Sequence, residues 1–182
     1  MRKIVAGLFI SLDGVIEAPE KWQFPYFSDE VGEAVGSQMA RADTMLLGRR
    51  TYQEFAGYWP QQGSDVPFAD EMNNTPKLVV STTLDTVEWQ NSTLIKDNLV
   101  EELSRLKQQP GKNINITGSG TLVRSLLRDN LLDELWLLVH PVVVGGGKRL
   151  FEEGGDQVAL NLQEAKTFSK GVVSLAYEPA GG

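Results

Sequence analysis

The residues of this 182-residue chain that could carry chemistry gather in four short segments: Asp13-Gly14, Gly48-Arg49-Arg50-Thr51, Ser81-Thr82-Thr83 and Thr117-Gly118-Ser119-Gly120. Two arginines, several hydroxyls and a helix start bared by glycine are what a ligand with more than one phosphate requires. Guanidinium groups bind phosphate oxygens in pairs, and the first turn of a helix offers N–H groups with no internal partner at the positive end of its dipole. Each charge-assisted hydrogen bond contributes about 1.5–3 kcal/mol, so a few suffice for micromolar affinity. Taken singly, Gly118-Ser119-Gly120 also reads as a tight strand-to-helix connection, and Asp13-Gly14 as a plain turn.

Composition narrows the chemistry. Lys and Arg number 17 against 24 Asp and Glu, a net charge of −7, which disfavours a nucleic-acid or anionic-membrane surface and makes any anion site a local one. With no cysteine, disulfides, thiolate zinc sites and a cysteine nucleophile are excluded. His140 is the single histidine, so no metal site is expected, and a serine triad would have to use this one residue as its base. Met1-Arg2-Lys3 before Ile4 to Ile10 imitates a signal peptide, but Asp13 and Glu17 follow at once without a cleavage pattern. No segment has the ~20 apolar residues of a membrane helix, and a soluble, cytoplasmic protein is expected.

The elements that must hold these segments follow from periodicity. Lys3 to Leu12 is an apolar, β-branched run ended by Asp13-Gly14, hence a buried first strand. Glu17 to Phe27, rich in proline and aromatics, reads as a loop that could cover a ligand or close the core edge. Ser28 caps a helix to about Ala42, with Val31, Val35 and Met39 on one stripe. Thr44 to Leu47 is a strand ended by Gly48, and Thr51 is placed to cap a short helix holding Tyr52 and Phe55. Trp59 to Pro76 reads as a polar excursion, Lys77 to Ser81 and Val87 to Ile95 as short strands, and Val100, Leu103 and Leu106 as a helix ending near Pro110-Gly111. Ile114 to Thr117 is a strand, and Thr121 to Leu132 an amphipathic helix with Leu122, Leu126 and Leu127 on its stripe. Leu135 to Val144 is the longest apolar strand, with Pro141 suggesting an edge or a bulge. Gly145-Gly146-Gly147 then turns into a short helix at Leu150-Phe151, with Lys148 or Arg149 able to meet a substrate phosphate. Lys166 to Phe168 and Val172 to Tyr177 form a closing hairpin. Residues 1–182 therefore read as one α/β domain with a mostly parallel mixed sheet and a C-terminal antiparallel hairpin. In such sheets ligands bind beyond the carboxyl ends of the strands, where all four segments fall.

Met45-Leu46-Leu47-Gly48-Arg49-Arg50-Thr51-Tyr52, then Leu78-Val79-Val80-Ser81, then Ile116-Thr117-Gly118-Ser119-Gly120 resemble the cofactor half of dihydrofolate reductase. The closer resemblance is to the reductase domain of the bacterial riboflavin-biosynthesis deaminase-reductase and its stand-alone relatives. These share Ser11-Leu12-Asp13-Gly14, Asp133-Glu134-Leu135, His140-Pro141-Val142 and the triple glycine. The resemblance spans nearly the whole chain and implies the three-layer dihydrofolate reductase-like fold. It implies NADPH as cofactor, with Gly48, Arg49, Arg50 and Thr51 near the pyrophosphate and 2′-phosphate and Ser81, Thr82 and Thr83 flanking the adenosine phosphate. Thr117, Gly118, Ser119, Gly120, Thr121 and Leu122 would hold the pyrophosphate, and Val15 and Ile16 would line the nicotinamide ribose. In dihydrofolate reductases the glycine pair of this turn adopts a cis peptide; Ser119 stands here for the second glycine.

Such an enzyme holds the nicotinamide against an electrophilic carbon and excludes water, so no nucleophile is needed. Asp13 is the expected proton donor or orienter because it follows the first strand beside the nicotinamide. Trp22-Gln23-Phe24-Pro25 matches the Trp-x-x-Pro that precedes the substrate carboxylate in dihydrofolate reductase, but Tyr26 and Phe27 follow it. Folate is therefore a poor substrate candidate, and Asp29 reads as part of a helix start. Glu17 and Trp22 are left to shape the substrate entrance, and His140 reads as a hydrogen-bonded structural residue. The expected function is an NADPH-dependent reductase of a small heterocyclic or carbonyl compound, 5-amino-6-(5-phosphoribosylamino)uracil reductase-like being one form. The alternatives are a non-catalytic nucleotide- or drug-binding module of the same fold and a purely structural dimer. Without the zinc-binding cysteines and histidine of a deaminase half, these 182 residues are expected to carry out only the reductase step. A homodimer is expected, with the strand from Leu135 as its surface.

Overall fold

A computed structural model describes residues 1–181. Its strands are β1 (Ile4–Ser11), β2 (Ala42–Gly48), β3 (Lys77–Val80), β4 (Ser92–Ile95), β5 (Asn113–Ile116), β6 (Glu134–His140), β7 (Leu160–Thr167) and β8 (Val173–Pro179). The helices are α1 (Asp29–Ala40), α2 (Arg49–Tyr58), α3 (Ala69–Asn74), α4 (Leu99–Gln108) and α5 (Gly120–Arg128), with single 3₁₀ turns elsewhere. All strands join one sheet in the order β4-β3-β2-β5-β1-β6-β8-β7. The first six are parallel to their neighbours, and β8 and β7 run antiparallel at one end.

Alternation along the strands builds the layers. Ile4, Ala6, Leu8 and Ile10 of β1 face one core with the α5 stripe Leu122, Val123, Leu126 and Leu127, as the two-residue strand period and the 3.6-residue helix period require. On the other face, Met45, Leu47 and Val79 pack with Tyr52 and Met72, and Val31 packs with Trp136 and Leu138. The result is the dihydrofolate reductase-like three-layer arrangement. Lys77 is wholly buried and donates to the carbonyls of Asn73, Thr75 and Gln90 at 3.0, 2.8 and 3.1 Å. Its ammonium lies 4.1 Å over the Trp89 ring. This satisfied buried cation ties β3 to α3 and to the loop after Thr83, fixing the strand end that carries Ser81.

Several local expectations are corrected. The helix expected to be capped by Thr51 starts three residues earlier, with Gly48 at its cap position and no side-chain cap. The excursion from Trp59 contains a 3₁₀ turn at Trp59–Gln61 and the helix α3. The strand expected from Val87 starts only at Ser92, because Glu88 and Trp89 give their amides to the Tyr52 hydroxyl. β6 stops at His140: Pro141 ends it rather than marking an edge, and β6 lies between β1 and β8. Both of its edges are paired, so neither is open to strand addition. Leu150-Phe151 is not helical; Arg149 instead bridges Val15. No described helix is long and apolar enough to cross a membrane.

Candidate functional site

The sheet order sets the carboxyl ends of β3, β2, β5 and β1 side by side, so Ser81-Thr83, Gly48-Thr51, Thr117-Gly120 and Asp13 form one row. Their joints are glycine-tight. The Gly48 amide donates to the Gly118 carbonyl at 3.2 Å. A Cβ on Gly48 would lie 2.6 Å from Ser119 Oγ and 3.3 Å from the Ser119 amide nitrogen. A Cβ on Gly118 would collide with Thr51 Oγ1. Thr51 thus serves as a wall for the turn, and the Gly118-Ser119 peptide is cis.

Ser119 is the N-cap of α5: its Oγ accepts from the Leu122 amide at 3.3 Å, and its carbonyl accepts from Val123. Leu122 therefore has its amide occupied and its side chain in the core. The amides of Gly120 and Thr121 are the first-turn donors left for a ligand. A Cβ on Gly120 would stand 2.8 Å from the flexible end of Ile16, its Cδ1, so the 15–16 segment lies against the helix start. Thr117 and Thr121 are exposed beside it, whereas the Val15 side chain is fully buried and can offer only its backbone.

Arg49 Nη1 donates to Thr83 Oγ1 at 3.1 Å. Ser81 Oγ lies 3.3 Å from Thr83 Oγ1 and accepts the amides of Thr83 and Leu84. One guanidinium and two hydroxyls are so held across the ends of β2 and β3. Arg50 and Thr82 are exposed next to them. Among the described residues neither arginine is paired with a carboxylate, so a positive field persists on a chain of net charge −7.

Asp13 does something different. Its carboxylate is met by Ser11 Oγ at 2.5 Å and by the amides of Val144 and Gly145 at 3.1 and 2.9 Å, with Arg149 Nη2 at 3.5 Å. The Ser11 hydroxyl first, and the two amides next, hold its pKa well below the usual carboxylate range. An acid so fixed in its ionised form is no proton donor near neutral pH, which corrects that half of the expectation and leaves the orienting half. Glu17 works alongside: its Oε2 accepts the Lys148 amide at 2.8 Å, while Ile16 N and Leu150 N bond Lys148 O and Gly14 O. Two acids thus clasp the 144–150 loop to the 13–17 segment. Neither the clasp nor Arg124, which donates to the Leu150 carbonyl at 2.8 Å and pairs with Glu152, had a signal in the sequence. The partners lie far apart in the chain.

Trp22 sits apart from the row of strand ends. Its ring meets His140 edge-on at 5.3 Å, with Phe9 and Tyr26 at 5.5 and 6.2 Å from the same imidazole, and its Nε1 donates to the Glu17 carbonyl. His140 is wholly buried, with Nδ1 on the Leu138 carbonyl at 2.8 Å. Burial pulls its pKa below 6.5 against the opposing pull of the Leu138 and Ile10 carbonyls. It is a packed neutral imidazole, as the structural reading had it. A cavity of about 760 Å³ lies between α2, α3 and the loop around Trp89. It lacks the arginines and the α5 start, so the chemistry favours the strand ends over this hollow.

Known proteins agree with this geometry at the level of family and fold. The chain is 31% identical over 180 residues to the uncharacterized protein YyaP of Bacillus subtilis (strain 168), covering 97% of this chain and 94% of that protein. A Shewanella sp. PV-4 protein named for riboflavin biosynthesis superposes with a TM-score of 0.80 at 22% identity, covering 98% of this chain and 99% of that one. The dihydrofolate reductase of Enterococcus faecalis, complexed with NADP(H) and RAB-propyl, gives 0.62 at 17% identity over 98% and 97% of the two chains. Residues 2–174 match the RibD C-terminal domain, and the chain belongs to that reductase-type family.

Proposed function

We propose that this chain binds NADPH across the carboxyl ends of β3, β2, β5 and β1 and passes its hydride to a small heterocyclic or carbonyl compound. The observation that carries the reading is the convergence, on adjacent strands, of Arg49 held by Thr83 with the open amides at the start of α5. Those groups suit a ligand with phosphates at two separate places. The Enterococcus dihydrofolate reductase, of the same fold, is complexed with NADP(H), which supports the choice of cofactor.

In this reading Arg49, Arg50, Thr51 and Ser81 to Thr83 take the 2′-phosphate end, and Gly118 to Thr121 take the pyrophosphate through backbone amides. Gly48 and Leu122 act by packing. Ile16 and the backbone of Val15 border the nicotinamide ribose, and Glu17 and Trp22 border the substrate entrance. The bound nicotinamide supplies the hydride. Asp13 acts as an orienter: as a fixed anion it holds Val144 and Gly145, and with Glu17 it keeps the 144–150 loop closed against Ile16 and so shields the transfer from water.

The test is a titration with NADPH and NADH followed by cofactor fluorescence, then NADPH oxidation across pterins, pyrimidines and carbonyl compounds. Saturable NADPH binding with oxidation of one class is expected. Absence of saturable binding overturns the reading, and binding without turnover on any class points instead to a nucleotide-binding module.

A further inference from the structure

The glycine loop after β6, Gly145-Gly146-Gly147-Lys148-Arg149, has the composition of an anion site, and the chain has filled it with its own carboxylates. Asp13 takes the amides of Val144 and Gly145, and Glu17 takes that of Lys148. Backbone oxygens take the next ones: the Leu150 amide bonds Gly14, and the Ile16 amide bonds Lys148. Arg149 is turned inward too, with Nε on the Asp13 carbonyl at 3.0 Å and Nη2 3.5 Å from the Asp13 carboxylate. A loop that already holds two anions has little left for a third.

The charge around it has the same effect. Between Leu12 and Ala40 the chain carries six acids and one base, Lys21. Lys148 has no ion pair among the described residues, but its own amide carries Glu17, which offsets it. At the other end of the row Arg49 and Arg50 stand together without a carboxylate. The two ends of the site therefore differ in sign: the ends of β2 and β3 attract phosphate, and the ends of β1 and β6 repel it.

What the segments at β1 and β6 expose instead is hydrocarbon. Leu12 and Val143 are 67% and 68% exposed, and the bond from the Leu12 amide to the Val142 carbonyl, at 2.8 Å, sets their segments side by side. Phe24, 65% exposed, opens the 3₁₀ turn that ends at Tyr26. Tyr26 and Trp22 both meet the ring of His140, the last residue of β6. The Val15–Arg149 bridge joins this rim to Ile16 and the start of α5. Bare apolar side chains beside a site whose anion donors are already occupied suit an uncharged, apolar ligand.

We infer that the part of the substrate farthest from the cofactor is uncharged and apolar, lies on Leu12, Phe24 and Val143, and that this entrance turns phosphate esters away. The inference rests on the hydride-transfer reading for placing a substrate here. Para-methoxyacetophenone and para-acetylphenyl phosphate carry the same aryl ketone, with methyl or phosphoryl on the same oxygen. Titrated into the NADPH-saturated protein and followed by methyl NMR, the ether should shift the Leu12, Val143 and Ile16 methyls along a saturable curve. The phosphate should bind about 10-fold or more weakly. Leu12→Ser combined with Val143→Ser removes only exposed side chains; read at Ile16, it should weaken the ether about 5-fold or more with an unchanged circular dichroism spectrum. If NADPH itself does not saturate, the cofactor reading falls, and the same pair titrated into the free protein still decides this one. No shift with the ether, a phosphate bound as well as the ether, an indifferent double variant, or methyl shifts that move with protein concentration alone would each overturn the inference.

Discussion

Replacing Gly48 by alanine tests the joint on which the row of strand ends depends. Gly48 has φ −74°, so alanine fits its backbone and the penalty is purely steric. The new Cβ would stand 2.6 Å from Ser119 Oγ, 3.1 Å from Ser119 Cβ and 3.3 Å from its amide nitrogen. Rotating the hydroxyl away relieves only the first contact and gives up the cap on Leu122, about 1 kcal/mol. The other two require the turn itself to move, an overpacking cost of about 1–3 kcal/mol. The sum, about 2–4 kcal/mol, lowers Tm by roughly 4–15 °C in a domain of this size. In the proposed NADPH-binding reading, displacing the turn would also withdraw at least one phosphate contact at the α5 start, about 1.5–3 kcal/mol or roughly 10- to 150-fold in NADPH Kd. Differential scanning fluorimetry and fluorescence titration read the two effects. Gly120→Ala is the steric control for Tm: its Cβ meets the flexible end of Ile16 at 2.8 Å, and a shift of under about 1 kcal/mol is expected. A Gly48→Ala protein with wild-type Tm and wild-type NADPH affinity would refute the reasoning.

Three further outcomes follow from the same contacts. Asp13→Asn keeps one acceptor oxygen where two now serve Val144 and Gly145 and loses the Arg149 pair; native-state trypsin cleavage at Lys148 and Arg149 should accelerate, and an unchanged rate would show that the clasp is unimportant. Because the folded pKa of Asp13 is depressed, its contribution to stability is present above the ordinary carboxylate pKa and is lost as pH falls further; Asp13→Asn should flatten the acid limb of the stability curve, and an unaltered limb would contradict this. NMR of the single histidine should give a pKa below 6.5, so its contribution to stability holds above that pH and is lost as pH falls through the folded pKa. A value at or above 6.5 would contradict the packed neutral imidazole.

The strand ends were legible because apolar β-branched runs stop at glycine, as at Leu47-Gly48 and Ile116 to Gly118, and the Ser28 cap was legible from its residue type. The four chemical segments could accordingly be assigned to one edge of a mostly parallel sheet before the strand order was known. What stayed hidden was long-range. The reach of Asp13 to Gly145 spans 132 residues and leaves no local pattern. The start of β7 was missed because the bulge at Gln163 breaks the period-two signal between Leu162 and Ala165. Pro141 signals an edge or a bulge in an apolar run, yet here it simply ends β6, and Leu150-Phe151 imitates a helix although the neighbouring backbone is taken up by Gly14 and Val15.

The central claim is that the Arg49-Thr83-Ser81 cluster and the α5 start together hold the two phosphate-bearing ends of NADPH. The measurement that tests it most directly is the ratio of NADH to NADPH dissociation constants, by cofactor fluorescence, for the wild type, Arg49→Ala and Arg50→Ala. Wild-type protein should favour NADPH, and each substitution should weaken NADPH by about 10-fold or more, as the loss of one charged phosphate contact requires, while NADH is nearly unaffected. Equal losses for both cofactors, or no preference in the wild type, would contradict the assignment.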